Sequence, residues 1–302
     1  MQTRKQFIKT LTTSGALTLL PGASLVGKSR ESYKKITILH TNDQHSRIEP
    51  FEASNKKFGG AGGFASRATL IDQIRKKEEH VLLLDAGDIF QGTPYFNFFG
   101  GELEFKLMSK LGYDLATLGN HDFDNGVEGF IKQLPHAQFN FVNANYDFKN
   151  SKLDGIVNPY QIFKKGGIRV GIFGLGIQLK GLVDSKHYGE IQYLDPIEIA
   201  KDQVDHLKHQ EKCDLIICLS HLGYQYKDDT VSDMKLAQNT HGIDLIIGGH
   251  THTFLDKPTL IKNNQGENVL INQVGWGGLY LGQIDFYIAK EKKKTTHRSI
   301  QV

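Results

Sequence analysis

Seven side chains in this sequence are of types that hold divalent ions, and each stands just past a short apolar run. Asp43 and His45 follow Ile36–Leu39, and Asp88 follows Val81–Leu84. Asn120 follows Asp114–Leu118, and His221 follows Asp214–Leu219. His250 and His252 follow Asp244–Ile247. The stretch Gly119-Asn120-His121-Asp122-Phe123-Asp124-Asn125-Gly126 carries the most chemistry. Asn120 offers an amide oxygen to a hard cation, and His121 offers a titratable ring. Asp124, three residues on, is placed to accept the other ring N–H and fix its tautomer. Asp43 and His45 are two apart, so an extended backbone sends both side chains to one side. Two Asp, one Asn and four His are too many for one tetrahedral zinc, and no thiolate joins them. Carboxylate, amide oxygen and imidazole together suit two borderline divalent ions. A carboxylate shared by both would hold them about 3.5–4 Å apart, as in two-metal hydrolases.

The elements that must position these groups are legible as buried strands. Open α/β sheets bind ligands beyond the carboxyl ends of their strands, and five strand exits here carry Asp, Asn or His. The expected strands are Ile36–Leu39, Val81–Leu84, Asp114–Leu118, Phe139–Ala144, Arg169–Gly174, Asp214–Leu219, Asp244–Ile247, Val269–Val274 and Leu281–Ile288. Helices are expected over Phe64–Lys77, Glu102–Leu111 and Pro196–Lys208. Gly59–Gly63 lacks the Gly-Lys-Ser/Thr ending of a phosphate loop, so it reads as a loop and helix start. The aromatic run Tyr95–Phe99 reads as packing, and the other histidines as solvated or structural.

Composition bounds the remainder. With 302 residues, 39% hydrophobic and 23% charged, the chain has an ordinary globular make-up and room for a sizeable core. A net charge of +3 without a basic cluster gives no case for nucleic acid. Cys213 and Cys218 flank a strand at an odd spacing, which predicts opposite faces, no mutual disulfide and two small buried hydrophobes. Residues 1–24 read as an export signal: Arg4, Lys5 and Lys9, then a modestly apolar stretch, then Pro21-Gly22-Ala23-Ser24. Thr3–Lys9 resembles a twin-arginine signal with Lys5 in the second arginine position. An exported protein, periplasmic or extracellular, follows. Residues 25–35 read as a linker, 36–290 as the folded domain and 291–302 as a basic tail. No stretch reaches the roughly 20 apolar residues of a membrane span.

Taken in order, Asp-x-His, Gly-Asp, Gly-Asn-His-Asp, a lone His after a strand, and Gly-His-x-His resemble the calcineurin-like metallophosphoesterases. Leu39–His45, Gly87–Pro94 and Gly119–Gly126 are similar to signatures of the 5′-nucleotidase branch. The resemblance covers about residues 36–290. It implies an α/β fold, a four-layer αββα sandwich of two mixed sheets flanked by helices, with a dimetal site at the strand C-terminal ends. It implies that Asp43, His45, Asp88 and His252 hold one ion, and Asp88, Asn120, His221 and His250 the other. His252 stands where the branch often has Gln, and Asp122 where many members carry Glu. His121 and Asp124 match the catalytic dyad, with Asn120 and His121 facing the substrate phosphate. The expected cofactors are two divalent ions (manganese, zinc, iron or cobalt), and the expected activity is hydrolysis of phosphate monoesters such as nucleotides by metal-activated water. The alternatives are a cyclic-phosphodiester, other non-nucleotide or sulfur-ester hydrolase on the same site, or a non-catalytic metal-binding subunit. In the resembled branch a C-terminal domain supplies the nucleobase pocket. Base recognition here is expected to be absent, improvised locally by residues such as Arg47 or Trp276, or supplied by a separate polypeptide.

Overall fold

A computed structural model describes residues 32–290 and 292–302. The export signal and most of the linker lie outside the described residues. The strands are β1 (Lys34–Thr41), β2 (Val81–Asp85), β3 (Leu115–Ala116), β4 (Asn140–Phe141), β5 (Tyr146–Asp147), β6 (Tyr160–Lys165) and β7 (Ile168–Gly176), then β8 (Gln192–Tyr193), β9 (Leu215–His221), β10 (Leu245–Gly248), β11 (Thr259–Lys262), β12 (Asn268–Asn272), β13 (Tyr280–Ala289) and β14 (Lys292–Gln301). The helices are α1 (Phe64–Arg75), α2 (Pro94–Phe99), α3 (Glu102–Leu111), α4 (Gly126–Gln133), α5 (Ser185–Tyr188), α6 (Pro196–Asp205) and α7 (Asp233–Asn239). One six-stranded sheet runs β14-β13-β1-β2-β3-β4, a second runs β11-β12-β10-β9-β7-β6, and β5 pairs with β8. In the first, β1 to β4 are parallel and β13 and β14 antiparallel. In the second, β7, β9, β10 and β12 are parallel between antiparallel edges β6 and β11.

Alternation along the strands builds four layers. Ile36, Ile38, Leu82 and Leu84 share one buried cluster with Leu215, Ile217, Leu245 and Ile247 of the other sheet. Leu39, Val81 and Leu83, one residue out of phase, pack instead with Ile71 and Ile74 of α1 and Phe105 and Met108 of α3. Ile216, Cys218 and Ile246 pack with Ala200 and Val204 of α6 and Leu236 of α7. Both sheets are therefore covered on two faces, which is why their central strands read as continuous apolar runs. This is the expected sandwich of two mixed sheets.

Several local expectations are corrected. The stretch from 292 is a strand, not a tail: it pairs antiparallel with β13 from Ala289↔Lys292 to Tyr280↔Gln301. It has no apolar run because it is an edge, mostly exposed, and held by ladder hydrogen bonds; lysine is a usual residue there. β1 starts at Lys34, so the strand takes the last two linker residues. β3 and β4 are two-residue ladders, much shorter than the expected runs. Cys213 and Cys218 are free and buried as expected, but pack in the same cluster. Cys213 lies before β9 begins, where strand alternation does not apply. Of the aromatic run, Phe96 is buried, whereas Phe98 is 82% exposed. Those residues form α2, whose short length leaves one side to solvent.

Candidate metal centre

The five expected strand exits converge on one face of the sandwich. Asp43 and His45 follow β1, Asp88 follows β2, Asn120 and His121 follow β3, His221 ends β9, and His250 and His252 follow β10. The first two loops run side by side: the Asp43 N–H donates to Gly87 O at 2.9 Å, His45 N–H to Asp88 O at 3.0 Å, and Ser46 N–H to Ile89 O at 2.9 Å. Among the described residues nine non-glycine residues have positive φ, and five of them are Asp43, His45, Asp88, His250 and His252. Left-handed backbone costs a non-glycine residue about 1–3 kcal/mol, so a cluster of five marks a place where function overrides local preference. Gly119 is needed for another reason. A Cβ there would sit 2.1 Å from Asp88 Oδ1 and 2.4 Å from its nitrogen, so only glycine lets the two loops touch.

The side chains form two groups, each with its ligand atoms within 4.8 Å of one another: Asp43, His45 and His252, and Asp88, His221 and His250. In the first, His45 Nε2 lies 2.9 Å from His252 Nε2, and His252 Nε2 lies 3.3 Å from Asp43 Oδ1. In the second, His221 Nε2 lies 3.1 Å from Asp88 Oδ2. Asn120 joins this group, its Oδ1 2.8 Å from His250 Nδ1. The same Asp88 Oδ2 lies 3.9 Å from His45 Nε2, so one oxygen faces both groups.

This donor set fits divalent cations. His221 is fully buried, its Nδ1 hydrogen-bonds Ala86 O at 2.7 Å, and its Nε2 has no hydrogen-bond partner. A buried orphan nitrogen aimed at a carboxylate, with the opposite nitrogen fixed by a carbonyl, has the orientation of a metal ligand. Two imidazole Nε2 atoms in contact, as in His45 and His252, leave a lone pair without a donor unless one ring carries a proton there. The charges are strongly perturbed in opposite senses. Burial lowers His250 to about 4 and also lowers His45. Burial would lower His221 too, but the Asp88 carboxylate outweighs it and holds the ring at about 10. Burial works against Asp88 in turn, yet His221 draws it below the usual carboxylate range. The Asp88 carboxylate and the His221 ring thus face each other at 3.1 Å, where a cation would meet the same oxygen and nitrogen.

His121 and Asp124 stand beside these groups. His121 Nδ1 lies 2.8 Å from Asp124 Oδ2, and the His121 ring is 5.3 Å from that of His45. The Asp124 hydrogen bond raises His121 above its ordinary value despite partial burial. With Nδ1 engaged, Nε2 is the nitrogen left for a substrate. All nine expected site residues are thus brought together. The sequence reading passed over those that hold them. Asn42 donates to Asp43 Oδ2 at 2.6 Å and to Gly275 O at 2.6 Å. Gln273 donates to Gly249 O at 2.7 Å and accepts from Thr253 N–H, bracing the loop that carries His250 and His252. Asp122, outside both ligand groups, is fully buried against the Asp88 loop. Burial and the Asp88 charge push it up to about 7, against backbone N–H groups that favour its ionised form. Its position beside Asn-His was the available signal.

Residues 36–254 match the family model described as calcineurin-like phosphoesterase. Among similar proteins, a 5′-nucleotidase of Vibrio cholerae serotype O1 is 38% identical over 277 residues, covering 83% of this chain and 48% of the relative. A snake venom 5′-nucleotidase of Gloydius brevicauda is 36% identical, covering 83% of this chain and 45% of the relative. The structure of a 5′-nucleotidase precursor from Thermus thermophilus superposes with a TM-score of 0.80 at 34% identity, covering 89% of this chain and 54% of that one. The calcineurin-like phosphoesterase YfkN from Bacillus subtilis superposes at 0.70 with 26% identity, over 88% of this chain and 91% of that one. The chain spans about half the length of the curated relatives it matches.

Proposed function

We infer the activity from one premise: the chain belongs to the calcineurin-like phosphoesterase family. The reading is a dimetal phosphoesterase that hydrolyses phosphate monoesters, nucleotides foremost. The observation that carries it is the pair of ligand groups meeting at Asp88 Oδ2 beside an Asp-held histidine. Asp43, His45, Asp88 and His252 would hold one divalent ion, and Asp88, Asn120, His221 and His250 the other. When bound, the two ions supply an activated water and neutralise phosphoryl charge. His121 does what the protein itself must do. Held in one tautomer by Asp124, it presents Nε2 to the phosphoryl group and its leaving oxygen, donating a hydrogen bond and then a proton. Asn120 fixes the start of that turn, where its C=O accepts the Phe123 N–H at 3.2 Å. The Asp88 carboxylate also holds the turn, since its Oδ1 accepts the His121 N–H at 2.8 Å.

The groups gathered here address the phosphoryl end of a substrate. An aryl phosphate should therefore be cleaved, and AMP and UMP discriminated weakly. A separate polypeptide carrying a nucleobase pocket would lower KM for nucleotides far more than for the aryl ester, because remote binding energy is what it adds. Steady-state rates on AMP, UMP and an aryl phosphate test this. A strong preference for one nucleotide at low micromolar KM contradicts it, and no hydrolysis of any phosphoester by the metal-loaded chain removes the enzymatic reading. Residues 1–24 are proposed as a twin-arginine-like export signal to the periplasm or exterior, and residues 36–290 as the phosphoesterase domain. Replacing Arg4 and Lys5 with Gln should strand the protein in the cytoplasm. Unchanged export of that variant rejects this route.

A further inference from the structure

Two carboxylates stand behind the ligand loops without joining either ligand group. Asp122 is 1% exposed and accepts four backbone N–H groups. Its Oδ2 takes those of Asp88 at 3.0 Å and Gly119 at 2.8 Å, and its Oδ1 those of Ile89 at 2.9 Å and Phe90 at 3.2 Å. It therefore joins the loop after β2 to the loop after β3. Asp85, fully buried, does the same one strand over. Its Oδ1 accepts the Gly87 N–H at 3.0 Å, and its Oδ2 accepts Thr41 Oγ1 at 2.6 Å and Gln44 Nε2 at 2.8 Å. Three successive ligand loops are thus linked in series through two buried carboxylates.

The linkage matters because the middle loop is strained. Asp88 has φ 55°, and its neighbour Gly87 has φ 87°. Left-handed backbone at a non-glycine residue persists only where surrounding contacts over-determine it. The contact at the Asp88 nitrogen itself is Asp122, and charge-assisted bonds from buried N–H groups to a carboxylate are the strong kind. Resting on the dimetal reading above, we propose that Asp122 is a positioning residue. It sets the affinity of the site for divalent ions by holding the loop that presents Asp88, and Asp85 extends the same restraint to the loop of Asp43 and His45.

The test is calorimetric titration of the metal-free protein with Mn²⁺, comparing the native chain with Asp122→Asn. The substitution keeps the shape but replaces one acceptor oxygen by an NH₂ group. Whichever way the amide turns, that group meets two N–H donors. Mn²⁺ affinity should fall about 10- to 100-fold, the usual effect of losing a residue that orients metal ligands. Phosphatase activity should be lost at low Mn²⁺ and return as Mn²⁺ is raised, while the metal-free Asn variant keeps the native circular dichroism and melting temperature; that excludes general destabilisation, which Mn²⁺ binding would also offset. Native affinity in the folded Asn variant overturns the proposal, as does activity that stays lost at saturating Mn²⁺. If the Asn variant does not fold, Asp85→Asn replaces it, because its amide sets an NH₂ group against the Gly87 N–H or against the Gln44 amide. A lower Mn²⁺ affinity then supports the proposal, and native affinity overturns it. A native chain that binds no Mn²⁺ removes the dimetal reading as well, which separates the two failures.

Discussion

The two ligand groups are built to different depths. The group around Asp88 and His221 is the more enclosed: these residues are 1% and 0% exposed and Asn120 beside them is 4%, with His250 half-buried at its edge. The group around Asp43 and His45 opens outward through His252, whose side chain is 39% exposed and stacks on Trp276 at 5.7 Å. Both share Asp88 Oδ2 as a neighbour. The contrast assigns different work to each half. On the dimetal reading, the more enclosed group favours an ion that stays, while the group that opens through His252 leaves room for water and a phosphoryl oxygen. His121, at the mouth of the open half, is placed to meet what enters there.

Substitutions that remove this contrast should have the largest effect. Asp88→Asn strips the carboxylate that faces both halves, and metal content and hydrolysis should both be lost. His121→Ala touches neither half, so both ions should remain while turnover falls about a hundredfold to ten-thousandfold, the range of an acid–base group. Metal loss in that variant would make His121 a ligand. His252→Ala weakens the open half alone. Added metal should restore most of its activity, whereas no addition should rescue Asp88→Asn. Equal rescue of both variants would break the division between halves.

A subtler prediction concerns pH. Asp124 raises His121, so the protonated ring persists to higher pH than a free imidazole. If protonated His121 assists the leaving group, turnover falls as pH rises through that raised value. Asp124→Asn removes the charge, and the falling limb of kcat against pH should move to lower pH. An unmoved limb assigns that titration elsewhere. The smallest effect is expected from Trp276→Ala, which frees His252 without removing it and should raise the metal requirement only slightly.

How far these features were legible depends on what the chain spends on them. The candidate ligands at strand exits stood out because Val81–Leu84 and Leu245–Ile247 are unbroken apolar runs, and a polar side chain after such a run has few other uses. The layers were expected from the family resemblance alone, since an unbroken apolar run marks a strand buried on both faces but not what covers it. β14 was not, because an edge strand of Lys and Thr is held by backbone ladder bonds that any sequence can make. Asp122 and Asp85 were not, because their partners are mostly backbone N–H groups and loop side chains from other strands. Only the fold brings those loops together. The conformation of Asp43, Asp88 and His250 was equally invisible, since left-handed backbone at Asp or His leaves no mark in composition.

The most direct measurement is metal stoichiometry of the purified native protein and of Asp88→Asn, by elemental analysis after dialysis at limiting free metal. Two ions per native chain and none in the variant are expected, because a single carboxylate serves both halves. One ion retained at native affinity in Asp88→Asn would show that the halves bind independently, and would contradict the shared-carboxylate site.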